Sequence, residues 1–242
     1  MDLLFEALAR SGTALGVSEF AVATGMPKST VFRILNTLVA LGHIERLGGG
    51  RYWFGPRIRA LAHDVTTRAH FSAALLPFLI DLYDEVRHPV TLTVLSGSDV
   101  MVLHRIHGRR ADGLRHEFGV APAYCTAPGK AMLAHALEDQ WPDWSDAELR
   151  PRTAATITSL DQLRVELAEI RRTGIAYEQE EFAHGVVAVA VPVLTADRRC
   201  VGAIAISGGA EAWPLAKAAL ALRRTAHEAS RILGRGWSPL HG

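Results

Sequence analysis

Ser29, Thr30, Arg33 and Thr37 fall on one side of a segment whose other side is apolar at helical spacing: Val31, Ile34, Leu35, Leu38 and Leu41. Short hydroxyls and backbone N–H groups at a helix start hold phosphates, and an arginine can fork onto the acceptor pair of guanine in the major groove. Lys28, just ahead, adds a cation. The chemistry on offer is recognition of a DNA duplex. A second candidate lies at Ala127-Pro128-Gly129-Lys130. Pro128 can open a helix, Gly129 lets backbone approach a ligand closely, and N–H groups at a helix start attract carboxylates. It is not a phosphate-binding P-loop, because the upstream glycine spacing and the following Ser/Thr are absent.

Other reactive residue types carry less. Cys125 lies near that helix start, where a thiolate would be stabilised, but it has no identifiable partner base. Glu180 and Glu181 are adjacent, so their side chains diverge and no acid–base pair follows. His104 and His107 are an odd number apart and face opposite sides of a strand, with His116 further on. No catalytic residue, metal ligand or cofactor is assigned.

These residues need elements to position them. Leu3, Leu4, Ala7 and Leu8 share one helix face, and Ser11-Gly12 ends that helix. A second helix is expected from Ser18 as N-cap, with Glu19 in its first turn, to Gly25. The third runs from Pro27 to about Leu41. Two short helices joined by a glycine turn describe a helix-turn-helix. His43 to Leu47, the glycines 48–50 and Arg51 to Phe54 then read as a β-hairpin wing, with Arg51 placed to reach a phosphate or the minor groove.

Downstream, helices are expected from Pro56 to about His70 and from Ala73 to Val86. Strands follow at 89–95 and 100–106 around a Ser96-Gly97-Ser98-Asp99 turn. Further helices are expected at 128–137, 160–173 and 215–233, with strands at 186–194 and 200–207. The mixture gives α+β as the fold class. The domains read as 1–56 for the DNA-binding part, 57–72 for a linker helix and 73–242 for a sensor part.

Composition agrees with a folded chain. Of 242 residues, 49% are hydrophobic and 21% charged, and no apolar run is long enough to span a membrane. Asp2 and Glu6 stand where a secretory leader would be basic, and two cysteines make no disulfide framework, so the cytoplasm is expected. Residues 1–60 hold seven Lys/Arg against four acids; the remainder holds nineteen against twenty-one. A basic head on a slightly acidic body fits a DNA reader fused to a sensor. On these residues alone, a protein-binding unit without DNA affinity stays open. So does an enzyme, a hydrolase or lyase, with its site around Cys125 and Glu178.

The run Gly25 to Leu35, then Leu41-Gly42-His43-Ile44 and Arg51 to Arg57, resembles the DNA-binding domain of the IclR family of transcription regulators. Thr126 to Ala134, the stretch from Leu160 through Glu181 to Val186, and Ala203 to Gly208 resemble successive segments of its effector-binding domain. Members carry residues ahead of their first helix, whereas here that helix begins at Met1: either the arm is missing or the true start lies upstream. The resemblance implies a winged helix-turn-helix followed by a GAF-like domain with a curved antiparallel sheet. It implies a homodimer or homotetramer on double-stranded operator DNA, most often as repressor of a catabolic operon. Its effector pocket maps onto Ala127, Pro128, Glu178, Val186, Ala188, Ala205 and Ser207. Relatives that bind small hydrophilic acids often carry a cysteine and a serine where Ala188 and Ala205 stand. Losing those hydrogen-bond partners points to a larger or more apolar organic acid, such as an aromatic one.

Overall fold

The computed structural model describes residues 2–107, 120–136, 141, 144–210 and 215–233. The chain divides into two compact units, Met1–Arg68 and Ala69–Gly242.

In the first unit, α1 (Asp2–Ser11), α2 (Val17–Thr24) and α3 (Lys28–Ala40) bury Leu4, Leu8, Phe20, Val31, Leu35 and Leu38 in one core. The α2 start departs from expectation. Gly16, not Ser18, is the N-cap, because Glu19 is then the third helical residue and its carboxylate reaches back to accept the Gly16 N–H at 2.6 Å. The wing is β2 (Ile44–Arg46) and β3 (Arg51–Phe54), joined through Gly49 and Gly50 at φ near +70°, a backbone only glycine adopts without strain. A two-residue strand, β1 (Leu15–Gly16), pairs with the far edge of β3, so the sheet order is β1-β3-β2.

The two helices expected over 56–70 and 73–86 are one. Helix α4 runs unbroken from Pro56 to Val86, so the expected break between residues 70 and 73 is absent and residues 57–72 form its first half. The apparent break is a change of environment, not of backbone. Leu61 and Val65 are each 60% exposed, whereas Phe71, Leu75, Leu79 and Leu82 are buried. Pro77, inside the helix, lies on its exposed side.

The second unit is built on a six-stranded sheet: β4 (Val90–Ser96), β5 (Asp99–Ile106), β6 (Val120–Pro122), β7 (Ala176–Gln179), β8 (Val186–Leu194) and β9 (Cys200–Gly209). Its order is β6-β5-β4-β9-β8-β7, antiparallel throughout, so the fold is α+β. Period-two alternation gives the sheet two unlike faces. Val90, Leu92, Val189, Val191, Ile204 and Ile206 pack on the second half of α4 and on α7 (Leu215–Ile232). Ala176, Ala188, Ala190, Ala203 and Ala205 pack on α5 (Ala127–Leu133) and α6 (Leu160–Thr173). Small side chains on that second face let α5 lie close to the strands, and that face carries the sensor candidates.

Candidate DNA-reading face and sensor site

Helix α3 turns Val31, Leu35 and Leu38 inward and exposes Lys28, Ser29, Arg33 and Thr37; Thr30 is half-buried. The side-chain cations of Lys28 and Arg33 have no hydrogen-bond or ion-pair partner among the described residues. The Thr37 hydroxyl donates to the Arg33 carbonyl at 3.2 Å. No carboxylate occurs anywhere on α3, so nothing there repels a phosphate. Two exposed residues, Phe32 and Asn36, escaped the reading from sequence. They sit one turn apart on the same face, and the i, i+4 spacing was the signal available. Arg51 differs from its neighbours. Its guanidinium donates to the Ala14 carbonyl, 2.9 Å from Nε, and pairs with Glu19 at 3.3 Å. It ties the wing to the start of α2, so a phosphate would have to share it.

In the sensor unit Glu178, Ala188 and Ser207 lie side by side in one cross-strand row, because Glu178 pairs with Ala188 and Ala188 with Ser207. Ala205 and Val186, each two residues from a member of that row, share its face. Ala127 joins them from α5: its N–H donates to Glu178 Oε2 at 3.4 Å. Pro128, half-buried, follows in the first turn. The structure thus gathers the seven mapped residues around one end of the alanine-lined face.

The α5 start differs from expectation in two ways. Its N–H groups are not free for an anion: that of Ala127 goes to Glu178 and that of Gly129 to Thr126 Oγ1 at 3.3 Å. Nor does Gly129 face a ligand. A Cβ there would lie 2.6 Å from the Ala123 carbonyl carbon, so the glycine serves the packing of α5 on the 3-10 turn at 123–125.

The same segment buries a charge that sequence reasoning left unassigned. Lys130 is 0% exposed, with Nζ 2.6 Å from Glu181 Oε1 and 3.1 Å from Glu166 Oε1. Adjacent carboxylates thus have opposite fates. Glu181 turns in to Lys130, while Glu180 accepts the Gly185 N–H at 2.8 Å. Glu178 is 4% exposed, and its Oε1 has no hydrogen-bond partner. Burial pushes its carboxyl up to about 7; the Ala127 N–H opposes this, Glu181 reinforces it, and Lys130 and the Phe182 backbone oppose it more weakly. Burial likewise raises Glu181 against the pull of Lys130.

The sign of the Glu178 effect fixes a pH dependence. Between its ordinary 4.5 and about 7, the folded chain keeps a proton that the unfolded chain releases. Stability from this group is therefore present at low pH and falls away as pH rises through that window. Glu178→Gln is expected to flatten the dependence and to raise stability at pH 8 by about 2–3 kcal/mol. Thermal melts at pH 5 and pH 8 would check this.

Cys125 offers no nucleophile, since burial pushes its thiol up to about 12. His104 and His107 lie in and just after β5, His116 is outside the described residues, and no metal-holding cluster of His, Cys, Asp and Glu occurs among the described residues.

A helix-turn-helix whose second helix, α3, exposes cations and hydroxyls and no carboxylate, in a chain whose other unit gathers Glu178 and Ser207 on a buried sheet face, defines a DNA-binding regulator with a second, candidate sensor unit. Residues 3–48 match the IclR helix-turn-helix domain, and residues 63–231 match the C-terminal domain of bacterial IclR transcriptional regulators. The chain belongs to the IclR family. It is 34% identical to SauR of Cupriavidus necator over 84% of this chain and 82% of that one. It is 27% identical to the transcriptional repressor IclR of Escherichia coli over 85% and 77%. The crystal structure of the Thermotoga maritima IclR superposes with a TM-score of 0.63, at 26% identity, over 95% of this chain and 96% of that one. The relatives are transcriptional regulators, and this chain is a regulator rather than an enzyme. Among the described residues no helix is long and apolar enough to cross a membrane.

Proposed function

We propose that the chain is a cytoplasmic repressor of a catabolic operon that releases or repositions on DNA when its sensor unit takes up a small organic acid. The observation that carries the DNA assignment is the exposed face of α3, where Lys28, Ser29, Arg33 and Thr37 stand with no acid among them. Residues 1–56 would hold the operator, and 73–242 would form the GAF-like sensor. Arg51 would support the wing and meet the duplex secondarily. The protein would act as a homodimer or homotetramer, because helix-turn-helix readers engage paired half-sites. Leu3, Leu61 and Val65, all exposed apolar residues of the first unit, are suited to that contact.

For the effector, Ala188 and Ala205 favour an apolar body and Ser207 supplies one hydroxyl. The unpartnered Oε1 of Glu178 favours a ligand that brings a hydrogen-bond donor. An aromatic acid bearing a hydroxyl meets all three. Titration calorimetry with a hydroxybenzoate, benzoate and pyruvate should rank them in that order. Pyruvate binding tightest would reject the assignment.

Binding to the chain's own upstream DNA tests the main reading. Arg33→Ala is expected to cost about 1–3 kcal/mol in specific affinity, the value of one bidentate base contact. Unchanged affinity in Arg33→Ala would remove α3 from the interface.

A further inference from the structure

Phe32 is 45% exposed in the middle of a polar helix face. Its exposed neighbours at i±3 and i±4 are Ser29, Lys28 and Asn36, with Arg33 beside it. No aromatic ring contacts it among the described residues. A protein partner would want a contiguous apolar patch; here the aromatic stands alone among cations, hydroxyls and an amide. A duplex offers such a surface. In the major groove the one apolar group on a base edge is the C5-methyl of thymine, and it is surrounded by donors and acceptors.

We infer that Phe32 reads a thymine methyl and that Asn36, one turn on, reads an adenine through its N6/N7 edge, so this helix specifies A·T pairs as well as the guanine offered to Arg33. The inference rests on the assignment of α3 as the DNA-reading helix. Four residues of helix advance about 6 Å, close to two base-pair steps of about 3.4 Å. The thymine and adenine therefore lie within about two steps of each other. Asn36 has the geometry to take both acceptor and donor of adenine, which no other exposed side chain on this helix does.

The test uses the full chain and the duplex it enriches from a random-sequence library, remade with deoxyuridine in place of each thymidine in turn. Loss of the methyl at one position in each half-site is expected to weaken binding about fourfold per site, the worth of one buried methylene-sized group. Phe32→Ala should bind the thymine and uracil duplexes equally. Asn36→Ala should relax selection at a neighbouring adenine. The inference is overturned if wild-type protein binds every uracil duplex as well as its thymine parent. It is equally overturned if Phe32→Ala keeps the discrimination, or if the thymine whose methyl matters and the adenine whose selection Asn36→Ala relaxes lie more than about two steps apart. A library from which nothing is enriched counts instead against DNA reading itself, and that result appears before any uracil is introduced.

Discussion

Lys130→Ala is expected to destabilise the sensor unit by about 3–5 kcal/mol, the usual cost of removing one member of a buried ion pair. The lysine is fully enclosed, and its Nζ is shared between Glu181 at 2.6 Å and Glu166 at 3.1 Å. Truncation leaves Glu181 buried with both oxygens unmatched, since its Oε2 already lacks a partner. Glu181 would then take up a proton, so the loss should be largest at high pH and shrink as pH falls. The attraction itself is not the main term, because enclosing the two charges of Lys130 and Glu181 costs several kcal/mol before any pairing, whereas Glu166 stays partly exposed. The double replacement Lys130→Met with Glu181→Leu should accordingly recover much of the stability. Calorimetric unfolding of the two singles and the double completes the cycle. A double variant no more stable than Lys130→Ala would contradict this account. The triad joins α5 to α6 and to the segment after β7, so in the proposed function it would hold Ala127 and Pro128 of α5 at the effector site.

Gly129→Ala should be nearly as damaging, at about 3 kcal/mol, for a purely steric reason. The added methyl would overlap the Ala123 backbone, which cannot give as a flexible side chain can. Helix α5 would have to lift from the 3-10 turn, taking the Ala127 N–H away from Glu178. The expected result is a lower melting temperature with the loss of effector-linked changes in DNA binding, while binding of DNA by the first unit persists. A variant that melts like wild type would show that the close approach at Ala123 is not needed.

What the sequence revealed and what it hid follow physical lines. The amphipathic stripe of α3 was legible because its period is long and its faces differ. So were α6, with Gly174 just past its end, and the β-branched runs of β8 and β9. Strand β1 was not, because two residues carry no period, and β6 and β7 are scarcely longer. The continuity of α4 was masked by a change in which residues are buried. Phe32 and Asn36 share the exposed face by spacing, but an aromatic and an amide carry neither the charge nor the hydroxyl that marks a phosphate contact in a sequence. At the sensor site the mapped residues do share one face, but the role of Lys130 was invisible. A lysine reads as surface unless its partners are known, and Glu166 and Glu181 lie 36 and 51 residues away. The alternating alanines 188, 190, 203 and 205 were the available hint that something packs closely on that face.

The most direct test of the regulator account is the affinity of the purified chain for a duplex from its own upstream region, followed across salt from 50 to 300 mM. Charge neutralisation by α3 and the wing predicts tight binding at low salt and a log–log slope of about −0.9 for each phosphate contacted, so several contacts give a steep line. It also predicts that a hydroxylated aromatic acid shifts the whole line. No measurable binding at the lowest salt, or a slope near zero, would contradict the claim that this face reads DNA.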